Sequence, residues 1–237
     1  MSFCDGTYCA HMPVVQDHKR VFDGDVGPNT GGMGTYSFAN HSLPFLSKED
    51  IAVAQKTNER VALELYKQTG EKFRGVLYGG FMLTNSGVKV IEYNARFGDP
   101  EAMNVLSILE TDFMDICKAI VSGSLKDLKI VFSRKATVCK YAVPEGYPNK
   151  PSRGFEVMCN PNLDGLYLAA VQEKNGVITA TGSRTAAFVG TDRDIVVAER
   201  VAEKGVSSVG GNLFHRKDIG TSALISRRVK HMKDVLG

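Results

Sequence analysis

The sequence predicts an α+β chain, with antiparallel strands and helices in its first part and a small β-rich part after it. Three observations carry this reading. Apolar residues at helical spacing follow Ser47, and two β-rich runs flank the turn Thr84-Asn85-Ser86-Gly87. From about Arg134 the texture changes to short β runs broken by Pro, Gly and Asn-Gly.

Taken in order, Phe3 to Pro13 reads as strand around an Asp5-Gly6 turn. Gln16 to Gly34, QDHKRVFDGDVGPNTGGMG, is dense in glycine and charge and includes Pro28. Glycine is costly inside a helix or strand and proline lacks a donor, so the stretch is expected to be a loop, neither core strand nor helix. Ser47 and Asp50 make a short variant of the capping box. Ile51, Ala54, Val61 and Leu65 continue the helix, and Gly70 suits its C-terminal stop. Arg74 to Glu101 reads as a hairpin. Met103 to Leu109 and Asp112 to Val121 read as helices, with Thr111 as N-cap and Gly123 ending the second. Beyond Arg134, KATVCKYAVPEGYP, GFEVMCN and LYLAAVQEKNGVITATGSRTAAFVG are expected strands. Asp192 to Lys204, after Thr191, and the basic Ala223 to Val235 are expected helices. The change of texture places a boundary near residues 126–133, giving domains 1–130 and 131–237.

The 237 residues are 43% hydrophobic and 23% charged, ordinary values for a globular chain. A net charge of +3 is too small to argue for nucleic acid or an anionic membrane surface. Cys4 and Cys9 have the spacing of half a zinc site, but no second half follows. All five cysteines are expected to be free thiols in a reducing compartment. No apolar run has membrane-helix length and no signal pattern opens the chain, so the expected location is cytoplasmic.

The chemistry concentrates in two places. On the second hairpin strand, side chains alternate faces, so Val88, Val90, Glu92, Asn94 and Arg96 share one side. A carboxylate and an amide oxygen about 7 Å apart along a strand can reach one hard cation. Arg96, next on that face, suits a phosphoryl or carboxylate oxygen. The same spacing is equally compatible with an ordinary ion pair at a solvent-facing strand end. In the opening loop, Gly27, Gly31, Gly32 and Gly34 allow backbone amides to converge on an anion, with Asp17, His18, Lys19, Arg20, Asp23 and Asp25 around them. The P-loop, GxGxxG, HExxH and GxSxG motifs are absent; Gly205 to Gly210 has the P-loop glycine spacing, but Gly211 stands where the lysine would be.

QDHKR followed by GDVGPNTGGMG, then KVIEYNARFGDPE, then FHRKDIG, resemble the phosphoribosylamine–glycine ligases (glycinamide ribonucleotide synthetases) of the ATP-grasp superfamily. The motifs keep the family's order from Gln16 to Gly220. The resemblance implies the C-terminal half of an ATP-grasp domain, an antiparallel sheet with helices, followed by a small β-rich C-terminal domain. It implies ATP-dependent ligation of glycine to 5-phosphoribosylamine through a glycyl phosphate, giving glycinamide ribonucleotide, ADP and phosphate in purine synthesis. Matched by position, Glu92 and Asn94 resemble the ligands of Mg²⁺ (or Mn²⁺), and with Arg96 they face ATP. Arg96 would meet the transferring phosphoryl group and Asp99 would brace substrate or loop. Lys19, Asp25, Asn29, Gly31, Gly32 and Gly34 would line the glycine and ribosylamine side. Several relatives place another metal carboxylate on the preceding strand, roughly where Met82 stands here.

The family's enzymes are nearly twice this length, and their N-terminal domain and adenine-binding lid have no counterpart here. The expectation is a C-terminal fragment or split-gene half, inactive alone, with a separate chain as one candidate source of the missing part. No nucleic-acid or membrane partner is expected. A non-catalytic binding or assembly module on the same fold is the alternative reading. A biotin-carboxylase-like ligase is disfavoured, because that group continues its metal strand with Q-V-E-H where this chain has Phe97-Gly98-Asp99-Pro100.

Overall fold

The structure is a computed structural model that describes all residues, Met1–Gly237. Asp5 closes the first turn: its Oδ1 accepts from the Thr7 and Tyr8 amides at 2.8 and 2.7 Å, joining β1 (Ser2–Asp5) to β2 (Cys9–His11). The glycine-rich stretch holds β3 (Gln16–Asp17), β4 (Arg20–Phe22) and β5 (Val26–Asn29), all short. Its last glycine opens β6 (Gly34–Ser37), every residue of which is buried. The stretch expected to stay out of the core therefore ends in it. Gly34 is why: a Cβ there would fall onto the Cys139 carbonyl, so only glycine lets the strands approach.

Helix α1 (Lys48–Thr69) begins and ends as the sequence indicates. The Asp50 amide donates to Ser47 Oγ at 3.0 Å, the Ser47 amide donates back to Asp50 Oδ2 at 2.9 Å, and Gly70 is left-handed. The hairpin β7 (Arg74–Thr84) and β8 (Gly87–Asn94) follows, completing an antiparallel sheet of order β2-β1-β7-β8. Alternation along β1 sends Phe3 to one face and Cys4 to the other. Cys4, Cys9 and Leu77 pack under Val61 and Ala62 of α1. Phe3 packs with Ile116 and Ala119, across the sheet.

The next helices are α2 (Glu101–Leu106) and α3 (Phe113–Ser122). The first starts two residues earlier than expected, because the Gly98 carbonyl already accepts from the Ala102 amide at 2.9 Å. The second is capped by Asp112, which accepts from Met114 N at 2.7 Å. Thr111, the expected cap, is turned to the Lys129 carbonyl and the Val131 amide.

The remaining elements are β9 (Ala136–Pro144), β10 (Leu166–Leu168), β11 (Val171–Lys174), β12 (Val177–Ala180), β13 (Ala186–Asp192), α4 (Ile195–Ser207), β14 (Leu213–Phe214) and α5 (Ser222–Leu236). GFEVMCN contributes only single bridges, at Glu156 and Met158. Thr191 and Asp192 stay in β13, paired with Thr137 and Ala136, so α4 starts later than expected, capped by Asp194. The main sheet runs β10-β13-β9-β6-β3, with β14 against the end of β9. Its core joins Val138 and Val189 to Ala198 and Ala202 of α4 and Leu224 of α5. Buried Lys140 reaches Glu199 and Glu203 of α4 at 2.7 Å each. No helix is long and apolar enough to cross a membrane.

This sheet takes strands from both sides of residue 130. Tyr36 pairs with Val138 and Gly34 with Lys140. A single tryptic cut at exposed Lys126 or Lys129 should therefore leave two pieces that co-elute on size exclusion and part only in denaturant. Pieces that separate under native conditions would show that the β6–β9 pairing contributes little.

Candidate active site

The hairpin, the glycine-rich loop and the segment before β13 meet around a cleft of about 540 Å³. Its wall is the end of β8. Asn94 Nδ2 lies 3.5 Å from Glu92 Oε1, and Arg96 Nη2 donates to Asn94 Oδ1 at 3.2 Å. Arg96 Nη1 donates to the Phe97 carbonyl at 2.8 Å, so its guanidinium is fixed at two points. The residue opposite Glu92 on β7 is Gly80, because the pairing register shifts between Gly80 and Phe81. Met82 pairs with Lys89 and is 52% exposed, so it does not stand at the cleft. No group of three or more His, Cys, Asp or Glu side chains converges for a metal. The carboxylate and amide of Glu92 and Asn94 fit a hard cation that completes its shell with phosphate oxygens and water.

The loop divides. Lys19, Thr30 and Gly31 line the cleft. Gly32 (φ +122°) sits behind them, where a Cβ would come within 2.7 Å of Pro100 and 2.8 Å of Asp17 Oδ1. Asp25 turns away, accepting from Arg216 at 2.9 Å and Arg228 at 2.7 Å. Asn29 is exposed in β5 and Gly34 is buried in β6, so neither reaches the cleft. The expected convergence of amides does not form either. Thr30 N donates to the Lys19 carbonyl, Gly32 N to Thr30 Oγ1 and Met33 N to the His18 carbonyl. In that run only the Gly31 N–H makes no hydrogen bond within the chain.

Arg184, absent from the sequence reading, organises this wall. Its Nη1 donates to the carbonyls of Gly31 (3.1 Å), Gly32 (3.2 Å) and Asp99 (2.8 Å), and Nη2 pairs with Asp99 Oδ2 at 2.9 Å. The guanidinium lies 4.7 Å over the Tyr141 ring, and the Tyr141 hydroxyl donates to Asp99 Oδ1 at 2.8 Å. Asp99 thus contacts the loop through Arg184. Nothing in the surrounding TGSRTAAFVG marks that arginine in advance. Glu101 and Tyr78 were also missed: the Tyr78 hydroxyl donates to Glu101 Oε1 at 2.8 Å, and Glu101 is only 3% exposed. The RFGDPE run placed Glu101 one helical start beyond the residues already singled out, which was a usable signal.

Two family models match the chain: the phosphoribosylglycinamide synthetase ATP-grasp (A) domain over residues 1–102 and the C domain of the same synthetase over residues 137–222. The chain belongs to the phosphoribosylglycinamide synthetase family. It is 51% identical over its whole length to a phosphoribosylamine–glycine ligase of Methanosarcina barkeri, covering 55% of it. With the ligase of Methanocaldococcus jannaschii the identity is 46%, over 98% of this chain and 53% of that one. The crystal structure of the Thermotoga maritima ligase superposes with a TM-score of 0.76 at 29% identity, covering 92% of this chain and 54% of that one. The Kluyveromyces lactis urea carboxylase, 12% identical with a TM-score of 0.63, shares the fold alone. The chain spans about half the length of the curated relatives it matches.

In this synthetase-family chain the cleft is mixed in charge. Burial first, and the charge of Glu101 second, push the Asp17 carboxyl up to about 6, against the pull of Lys19 2.6 Å away. Burial pulls the Lys19 ammonium down, but Asp17, with Glu101 and Glu92 beyond it, outweighs this and holds it above the usual lysine value. Burial, then Glu101, pushes the Tyr78 phenol up; burial, then Asp99, does the same to Tyr141. Both phenols therefore stay protonated as donors.

Folded Asp17 holds its proton to about pH 6, while the unfolded carboxyl releases it near 3.8. Its contribution to stability is thus complete below pH 3.8 and is lost as the pH rises through about 6. Asp17→Asn should be more stable than the parent above neutrality by on the order of 2–3 kcal/mol, an advantage that vanishes near pH 4. Urea denaturation at both ends of that range checks it; equal midpoints for parent and variant throughout would mean that Asp17 is ionised without cost.

Proposed function

We propose that this chain is the metal- and substrate-handling part of a phosphoribosylamine–glycine ligase, which joins glycine to 5-phosphoribosylamine through a glycyl phosphate at the expense of ATP. The carrying observation is the convergence of Glu92, Asn94 and Arg96 at one end of β8, on a cleft closed by Lys19 and Arg184. Membership of the synthetase family supports the reaction class.

Glu92 and Asn94 would hold Mg²⁺ or Mn²⁺, which when bound offsets the negative charge of the ATP phosphates. Arg96, anchored by Asn94 and the Phe97 carbonyl, keeps donors for the transferring phosphoryl group. Lys19 remains an ammonium and offers its charge to a substrate carboxylate or phosphate. Gly31 supplies one free N–H and no side chain, so an anionic group can approach the backbone there. Asp99 acts as a positioning residue: with Arg184 it holds Gly31 and Gly32 against the turn that follows Arg96. The adenine clamp belongs to the part of the relatives that this chain does not span, supplied by the same polypeptide or by a separate one.

Assay of the chain together with that N-terminal part tests the reading. ADP release should require both glycine and phosphoribosylamine, and Glu92→Gln should lower turnover by roughly tenfold or more through loss of a charged metal ligand. Absence of ligation by the completed parent protein would overturn the reading and favour a non-catalytic module. Unchanged turnover in Glu92→Gln at limiting Mg²⁺ would remove only the metal assignment. The 237-residue chain by itself is expected to bind Mg·ATP with a dissociation constant on the order of millimolar, from phosphate contacts alone. Micromolar binding in calorimetry would mean that the chain already carries an adenine site.

A further inference from the structure

Outside the cleft, the first hairpin sets two thiols face to face. Cys4 of β1 and Cys9 of β2 are direct cross-strand partners, and their sulfurs lie 3.0 Å apart. Both are free and buried, Cys4 completely and Cys9 at 8% exposure. The intervening turn is pinned by the Asp5 carboxylate, which also accepts from the Leu125 amide at 3.0 Å. The pairing is therefore built into the folded hairpin. Leu77, Val61, Ala62, Phe73 and Tyr93 surround the pair, and no group of three or more metal-binding side chains forms anywhere in the chain. The half zinc site suggested by the spacing has no other half. Directly opposed residues on antiparallel strands have Cα separations within the range that a disulfide spans.

We propose that Cys4 and Cys9 form a reversible dithiol–disulfide site, oxidised by a low-molecular-weight disulfide such as oxidised glutathione. Cys9 is the attacking sulfur, being the more exposed of the two. The hydrogen bond from Cys4 pulls its thiol down, against the opposing effect of burial. The Cys9 thiolate bonds to one sulfur of the small disulfide and expels the other as a thiolate, which takes a proton from solvent. Cys4, pushed up by its hydrogen bond to Cys9 and then by burial, reacts second. It gives its proton to solvent, attacks the Cys9 sulfur and releases the second small thiol. The protein loses two thiol hydrogens, and the small disulfide is reduced to two thiols. The bond fastens edge strand β2 to the sheet whose opposite edge, β8, carries Glu92 and Asn94.

The test needs only the intact chain and oxidised glutathione, followed by acid quench, alkylation and trypsin, since both cysteines fall within the Met1 to Lys19 peptide. That peptide should become unalkylated and about 2 Da lighter, the mass of two lost hydrogens, while Cys117, Cys139 and Cys159 remain alkylated. At equilibrium with the glutathione couple, the pair should be at least about tenfold more oxidised in the folded chain than in urea. Cys4→Ser should trap glutathione on Cys9, whereas Cys9→Ser should leave Cys4 alkylatable. The site is overturned if both thiols of the folded parent stay alkylatable under conditions that oxidise the same peptide in urea. The order of attack is overturned if Cys9→Ser takes up glutathione on Cys4 as readily as Cys4→Ser does on Cys9.

Discussion

The antiparallel pairing of β6 with β9 is the contact on which the cleft depends. It requires two backbones to meet where Gly34 faces the Cys139 carbonyl, a separation that any side chain at Gly34 would prevent. Once made, it continues into the loop, because the Tyr141 amide donates to the Met33 carbonyl at 3.0 Å. The loop is thereby delivered to Tyr141, on whose ring Arg184 lies. Arg184 in turn joins the loop carbonyls to Asp99. A glycine at a strand start, a tyrosine and an arginine thus hold together segments separated by some 150 residues of chain.

The loop's glycines have different tasks from one another. Gly31 lines the cleft and keeps a free amide, Gly32 lets the loop pack on Pro100, and Gly34 admits β6 to the main sheet. The loop's charges divide similarly. Lys19 faces the cleft, while Asp25 is held between Arg216 and Arg228. FHRKDIG contributes to the site's support through that contact: Arg216 also pairs with Asp218, fastening the C-terminal segment to the base of the loop. Charged side chains in one glycine-rich stretch thus serve unlike purposes according to which partner is within reach.

Electrostatically the cleft is balanced at short range. Burial, and then the charge of Glu101, make Asp17 reluctant to ionise, and Lys19 is placed to relieve the carboxylates around it. The cleft therefore brings both signs of charge together at short range and is not uniformly basic.

Local rules written into short runs were legible in the sequence alone. The capping box at Ser47, the stop at Gly70, the hairpin across Thr84 to Gly87 and the shared face of Glu92, Asn94 and Arg96 each depend on residues within a few positions of one another. The long motifs identified the family for the same reason. What the sequence did not contain was decided by contacts between distant segments. Thr111 lost its capping role to Asp112 because it is held by Lys129 and Val131. Strand pairing sets Gly80 opposite Glu92 and Met82 opposite Lys89, away from the cleft. Asp25 was drawn out of the cleft by Arg216 and Arg228, and Arg184 into it by Asp99, all distant in the chain from the residues they hold. Helical and strand periodicity fix which face a side chain occupies. Which other face it meets depends on tertiary packing, and there a single close approach such as Gly34 on Cys139 decides the outcome.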